Sequence, residues 1–159
     1  MITDHPRLRV LVVENEPLLR LDAEDALQDL GHDVVGWAGC VRIAITEAER
    51  THPDVVLMDI QLDGPGDGID AAHEIRNRFG IPSLFVTGSS GGETYQRALA
   101  AQPLGYLRKP LVLSDLQRAL APLLGTRAPD AGVIPSPSVA NVRFVSFNMS
   151  RRGTSESFE

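Results

Sequence analysis

The sequence predicts an α/β domain: a doubly wound, five-stranded parallel sheet with helices on both faces. Short, β-branched apolar runs, helix-period apolar stripes between them, and a fivefold strand–helix alternation carry this prediction. Leu8–Val13 is apolar with little polar alternation, as a strand buried on both faces should be. Leu18, Leu19, Leu21, Ala23, Ala26, Leu27 and Leu30 then place a stripe on a helix from Pro17 to Leu30, with Gly31 as its stop. Asp33–Trp37 is a weaker second strand, and Val41, Ile43, Ala44, Ile45 and Ala48 mark a second helix. Val55–Asp59 is the third strand. Ile69, Ala71, Ala72, Ile75 and Phe79 give a third helix, closed by Gly80 ahead of Pro82. Ile81–Thr87 is the fourth strand and Thr94–Ala101 the fourth helix. Leu104–Leu107 is a short fifth strand, and Leu113–Leu124 a fifth helix with Ser114 or the residue before it as candidate N-cap. Such alternation runs its strands parallel and collects functional groups at their C-terminal ends.

The domain is expected over residues 7–124. Residues 125–159 read as a linker and C-terminal tail. Gly125–Ser138 holds three prolines and two glycines without periodicity, and Val142–Met149 nearly alternates, as a disordered segment or a short edge strand would. With 43% hydrophobic and 23% charged residues, the 159-residue chain has the composition of a soluble globular protein. No apolar run approaches the ~20 residues of a membrane span. The N-terminus lacks the pattern of a signal peptide. Cys40 is the only cysteine, which excludes an internal disulfide and fits a reducing cytoplasm. Residues 1–125 hold 18 acidic and 11 basic residues, and this acidic body argues against nucleic-acid binding.

Four of the five strands deliver a polar group to one rim: Glu14, Asp59, Thr87 and Lys109. Lys109 is the only lysine among fifteen basic residues. Its compact charge on a flexible stem suits a small anionic group better than the planar arginine fork. Two carboxylates close together bind a hard divalent cation, and Mg²⁺ suits one or two carboxylates plus a phosphate. An ionised aspartate can attack phosphorus and form an acyl phosphate. Lysine then neutralises charge on the transferring oxygens, and a threonine hydroxyl donates to one of them. The four histidines (His5, His32, His52, His73) show no metal-ligand spacing, and Gly31-His32 and His52-Pro53 read as loop residues. Cys40 reads as a buried or helix-start residue.

These residues resemble the receiver domain of two-component response regulators, a flavodoxin-like (βα)5 fold. Val12-Val13-Glu14-Asn15-Glu16-Pro17 is similar to the acidic first-strand motif, and Asp54-Val55-Val56-Leu57-Met58-Asp59 to the phosphoacceptor strand. Phe85-Val86-Thr87-Gly88 is similar to the switch-threonine motif, and Tyr106-Leu107-Arg108-Lys109-Pro110 to the aromatic-switch and lysine motif. The resemblance implies that Asp59 accepts a phosphoryl group from a sensor histidine kinase or histidine phosphotransfer protein. It implies Mg²⁺ held by Glu14, Asn15, Asp59 and the backbone carbonyl of Gln61. It further implies phosphoryl contacts from Thr87 and Lys109, an inward swing of Tyr106 as Thr87 moves, and a cis bond at Lys109–Pro110. Gln61 and Ser89 lie where receivers tune dephosphorylation. The short tail implies a stand-alone receiver. It would signal to a downstream protein target through the face of the fourth helix, fifth strand and fifth helix. Whether it forms a homodimer is open.

Asn15 departs from the pattern, standing where the family usually has a second first-strand acid. The expected consequence is weaker metal binding and slower phosphotransfer. Either Asp63 or Asp67 supplies the missing charge, or the loop Leu62–Gly68 is only a turn into the third helix, the simpler reading. A phosphorylation-independent binding module is the alternative function. A phosphohydrolase of the haloacid dehalogenase kind ranks lower, because Gln61 stands where it needs a second aspartate.

Overall fold

The computed structural model describes residues 6–88 and 91–125, so the tail expected beyond Gly125, its edge strand and Ser89 lie outside the described residues. Ten elements alternate as foreseen. The strands are β1 (Arg9–Val13), β2 (Asp33–Ala38), β3 (Val55–Asp59), β4 (Ser83–Thr87) and β5 (Gly105–Arg108). The helices are α1 (Pro17–Asp29), α2 (Val41–Thr51), α3 (Gly68–Phe79), α4 (Gly92–Ala100) and α5 (Leu113–Gly125). All four strand pairings are parallel, in the order β2-β1-β3-β4-β5. The order reverses between β1 and β3, which opens a crevice at their C-terminal ends.

Strand alternation divides the core into two layers. Leu11, Val13, Val56, Met58, Phe85 and Tyr106 pack with α2, α3 and α4 residues such as Ala44, Ile75 and Ala98. Val10, Val12, Val55, Leu57, Leu84, Val86 and Leu107 pack with Leu27 of α1 and Leu116 and Leu120 of α5. Every residue of β3 and β4 is buried, which explains the apolar runs Val55–Met58 and Leu84–Val86 inside them. β2 read weakly because it is an edge. Trp37 lies 53% exposed there, with the Arg20 guanidinium 4.1 Å above its ring.

Two boundary details differ from expectation. The α4 helix begins at Gly92, with Gly91 as N-cap, two residues before the first residue that looks helical in sequence. In α5 the Leu116 N–H bonds to the Val112 carbonyl, so neither Ser114 nor Leu113 is the cap. His32 does lie in the α1–β2 connection, but buried: its Nδ1 accepts the Leu8 N–H at 3.3 Å. The Gly80 stop is as expected, its φ of 68° closing α3 in the left-handed region. Cys40 is the N-cap residue of α2.

Candidate functional site

The four strand-end residues converge at the crevice. Val13 of β1 pairs with Met58 of β3, so Glu14 emerges beside Asp59. On the other side Asp59 pairs with Val86, and Thr87 with Arg108, which brings Lys109 onto the same rim. The Lys109 ammonium bridges the two acids, with Nζ donating to Glu14 Oε2 at 2.8 Å and to Asp59 Oδ2 at 3.0 Å. Each carboxylate is held at its other oxygen by a backbone N–H two residues on. Glu16 N–H donates to Glu14 Oε1 at 3.0 Å, and Gln61 N–H to Asp59 Oδ1 at 3.2 Å. The lysine is itself positioned by its own N–H, which bonds to the Thr87 carbonyl at 2.9 Å, and the Lys109–Pro110 bond is cis.

Two carboxylates, 7% and 5% exposed, share one ammonium and leave a net negative charge at the rim. Burial, with the Glu14 charge beside it, pushes the Asp59 pKa up to about 6 against the opposing pull of Lys109. Burial works against the Lys109 charge, but its bonds to Glu14 and Asp59 outweigh that and hold its pKa above the ordinary value. Among the described residues no three His, Cys, Asp or Glu side chains come together as a metal cluster. A hard divalent cation here would therefore use two carboxylates together with neutral oxygens, such as the Asn15 amide and the Gln61 carbonyl. The net negative charge fits such an ion.

Thr87 is 1% exposed, and its hydroxyl is hydrogen-bonded to the Tyr106 phenol. Tyr106 is already inside, packed edge-on against Tyr95 at 5.5 Å and tilted against Phe85 at 6.4 Å. The ring is 4% exposed. Burial raises the phenol pKa, and the Thr87 bond partly offsets the rise.

The loop after β3 separates the two acids that sequence left as alternatives. Asp67 caps α3, accepting from the Ile69 and Asp70 N–H groups, while the Asp70 carboxylate returns to the Asp67 N–H. It also pairs with Arg97 of α4 at 2.8 Å, which holds its carboxyl below the ordinary pKa despite partial burial. Asp63 instead accepts from Asn15 Nδ2 at 3.0 Å. Gly68 was missed in the sequence. A Cβ there would lie 1.9 Å from the Asp59 carbonyl oxygen, and its N–H bonds to the Ile60 carbonyl at 2.7 Å. The run Gly64–Gly68 was the available signal, but its glycines look alike without coordinates.

The sequence model of the response regulator receiver domain matches residues 10–121. The transcriptional regulatory protein PdtaR of Mycobacterium tuberculosis is 39% identical over 112 residues, 70% of this chain and 54% of that protein. The chain thus spans about half the length of this curated relative. Among solved structures, the receiver domain of a modulated diguanylate cyclase from Desulfovibrio desulfuricans superposes with a TM-score of 0.71 at 33% identity, covering 76% of this chain and 95% of that one. The receiver domain of a Pseudomonas aeruginosa sensor histidine kinase, described with a magnesium ion coordinated in its active-site cleft, gives 0.67 at 31% identity, covering 76% and 100%. With a family match over most of its length and an acid–acid–threonine–lysine rim on a 2-1-3-4-5 parallel sheet, the chain belongs to the response regulator receiver domain family.

Proposed function

We propose that this receiver is a phosphorylation-driven switch in which Asp59 accepts the phosphoryl group. One observation carries the reading: a single lysine, the only one in the sequence, bridges Asp59 and Glu14 at the sheet's switch point. The donor is a phosphohistidine on a sensor histidine kinase or a histidine phosphotransfer protein. An Asp59 carboxylate oxygen attacks phosphorus, the P–N bond breaks, and its electron pair leaves with the imidazole, which takes up a proton. The product is an acyl phosphate on Asp59. Lys109 moves from charge partner of the carboxylate to counter-charge for the phosphoryl oxygens. The Thr87 hydroxyl, a donor to the Tyr106 oxygen in the unphosphorylated protein, would turn its proton to a phosphoryl oxygen after transfer.

Glu14, Asn15, Asp59 and the Gln61 carbonyl are the groups that would hold Mg²⁺. When bound, the ion supplies the positive charge that two carboxylates and a phosphoryl group need in one place. The expected output is protein contact through the α4–β5–α5 face, with Tyr106 and Tyr95 linking Thr87 to α4. Receiver domains are signalling proteins rather than classical enzymes, and the only chemistry proposed here is self-catalysed phosphotransfer and dephosphorylation.

Incubation with Mg²⁺ and a small acyl-phosphate donor should add the mass of one phosphoryl group, and Asp59→Asn should abolish the gain. No gain under any condition would favour the phosphorylation-independent binding module. Fast turnover of phosphomonoesters would favour a hydrolase.

A further inference from the structure

Asn15 lacks the charge usual at its position, and 48 residues away the chain brings an acid to it. We infer that Asp63 completes the cation site through Asn15, as a positioning residue that fixes the amide and supplies its missing charge. The inference rests on the functional reading above and concerns the same site.

Three observations converge on Asp63. Its carboxylate accepts from Asn15 Nδ2 at 3.0 Å. A carboxylate only accepts hydrogen bonds, so the amide must turn its nitrogen toward Asp63 and its oxygen away. That leaves Asn15 Oδ1, the atom able to ligate a hard cation, as the amide's remaining polar atom. Second, the Asp63 backbone is tied in place: its N–H donates to the Gly39 carbonyl at 3.2 Å, and Asp63 forms a parallel bridge with Cys40. Third, Gly39 itself lies against Asn15, since a Cβ there would meet Asn15 Cα at 3.6 Å. The end of β1, the β2–α2 corner and the β3–α3 loop therefore meet at one amide–carboxylate pair.

The arrangement divides between two residues what one first-strand aspartate would do. The amide offers a neutral ligand oxygen. The carboxylate polarises the amide through the N–H bond and adds negative charge one shell out. A direct-ligand role for Asp63 finds no support, because no three acidic, histidine or cysteine side chains cluster among the described residues. Outer-shell partners of this kind commonly matter by about 10–100-fold in metal affinity. Asp63 is exposed, so the low end applies. The expectation of generally weakened metal binding at Asn15 changes accordingly: the deficit should be small while Asp63 is present.

Mg²⁺ titration calorimetry on the full chain at fixed ionic strength tests this, with Asp63→Ala, Asp63→Asn, Asn15→Asp and the double variant Asn15→Asp/Asp63→Ala. Asp63→Ala should weaken Mg²⁺ by about tenfold. Asp63→Asn keeps an acceptor oxygen for Asn15 and should fall between it and the wild type. In the Asn15→Asp background, removing Asp63 should cost little affinity, since the ligand then carries its own charge and no amide needs orienting. The Asn15 side-chain NH₂ resonances should shift on Mg²⁺ addition in the wild type and lose that response in Asp63→Ala. Equal Mg²⁺ affinity of the wild type and both Asp63 variants would overturn this inference alone. The same loss from Asp63→Ala in both backgrounds would also overturn it, showing a turn residue that acts independently of Asn15. Failure of the wild type itself to bind Mg²⁺ at millimolar concentration would overturn the functional reading and the inference with it.

Discussion

Lys109 holds together a pair of mostly buried acids that would otherwise repel each other. Glu14 and Asp59 each spend one oxygen on its ammonium and the other on a backbone N–H. Removing the lysine leaves two buried carboxylates facing each other. Lys109→Met should therefore destabilise the metal-free protein by about 3 kcal/mol, the low end for breaking a buried pair. Urea unfolding with and without Mg²⁺ checks this, and the cation should recover part of the loss. His32 offers a second test. Burial lowers its pKa against the raising effect of Asp33, so the unfolded chain takes up the proton first as pH falls. The stability held by neutral His32 is complete above the ordinary histidine pKa of about 6.5 and is lost between there and the lower native value. A ring-proton NMR titration should place the native His32 midpoint below the ordinary one. At this scale the strand-end residues were legible in sequence because residue type and position coincided: two acids, a threonine and the sole lysine each follow an apolar run. The Asn15–Asp63 bond and the buried His32 acceptor were not, since each joins loops whose meeting depends on sheet order.

Among the elements, α3 and its entry loop govern how firmly Asp59 is held. Gly68 opens α3 directly against the Asp59 carbonyl, where no side chain fits. Gly68→Ala should cost roughly 3 kcal/mol or more, at or beyond the usual range for overpacking, because the clash is with backbone. Denaturant unfolding measures it, and Gly64→Ala serves as a comparison whose site is open but whose φ of 75° is positive, unlike that of Gly68. The α4 helix is held differently. Its Arg97 reaches both Asp67 and Asp70 at the start of α3, while Tyr95 rests on Tyr106. Arg97→Ala should barely change global stability, because the pair is exposed. It should speed amide exchange in α4 while leaving α1 and α5 unchanged. Helix interiors were readable from their stripes, and Gly80 was readable as a stop. The start of α4 was not, because its first turn carries Gly91 and Gly92 where apolar period is absent.

For the molecule as a whole, the parallel sheet buries β3 and β4 completely and leaves the C-terminal rim as the place where chemistry collects. The alternation of elements foretold this architecture. The order 2-1-3-4-5 came only with the structure, since periodicity does not say which strands are neighbours. Among the described residues both core layers draw on positions 8–124, and a chain ending at Gly125 is expected to melt as cooperatively, and at the same temperature, as the full sequence. A lower Tm by calorimetry would mean that the later residues pack on the domain. The proposed role of the rim is phosphorylation of Asp59. It is tested most directly by treating the Mg²⁺- and acyl-phosphate-incubated protein with borohydride, which reduces an aspartyl phosphate to homoserine, and sequencing the peptides by mass spectrometry. Homoserine at position 59, absent when Lys109 is replaced by Met or Mg²⁺ is withheld, is the predicted result. Homoserine at any other aspartate, or at none, would contradict it.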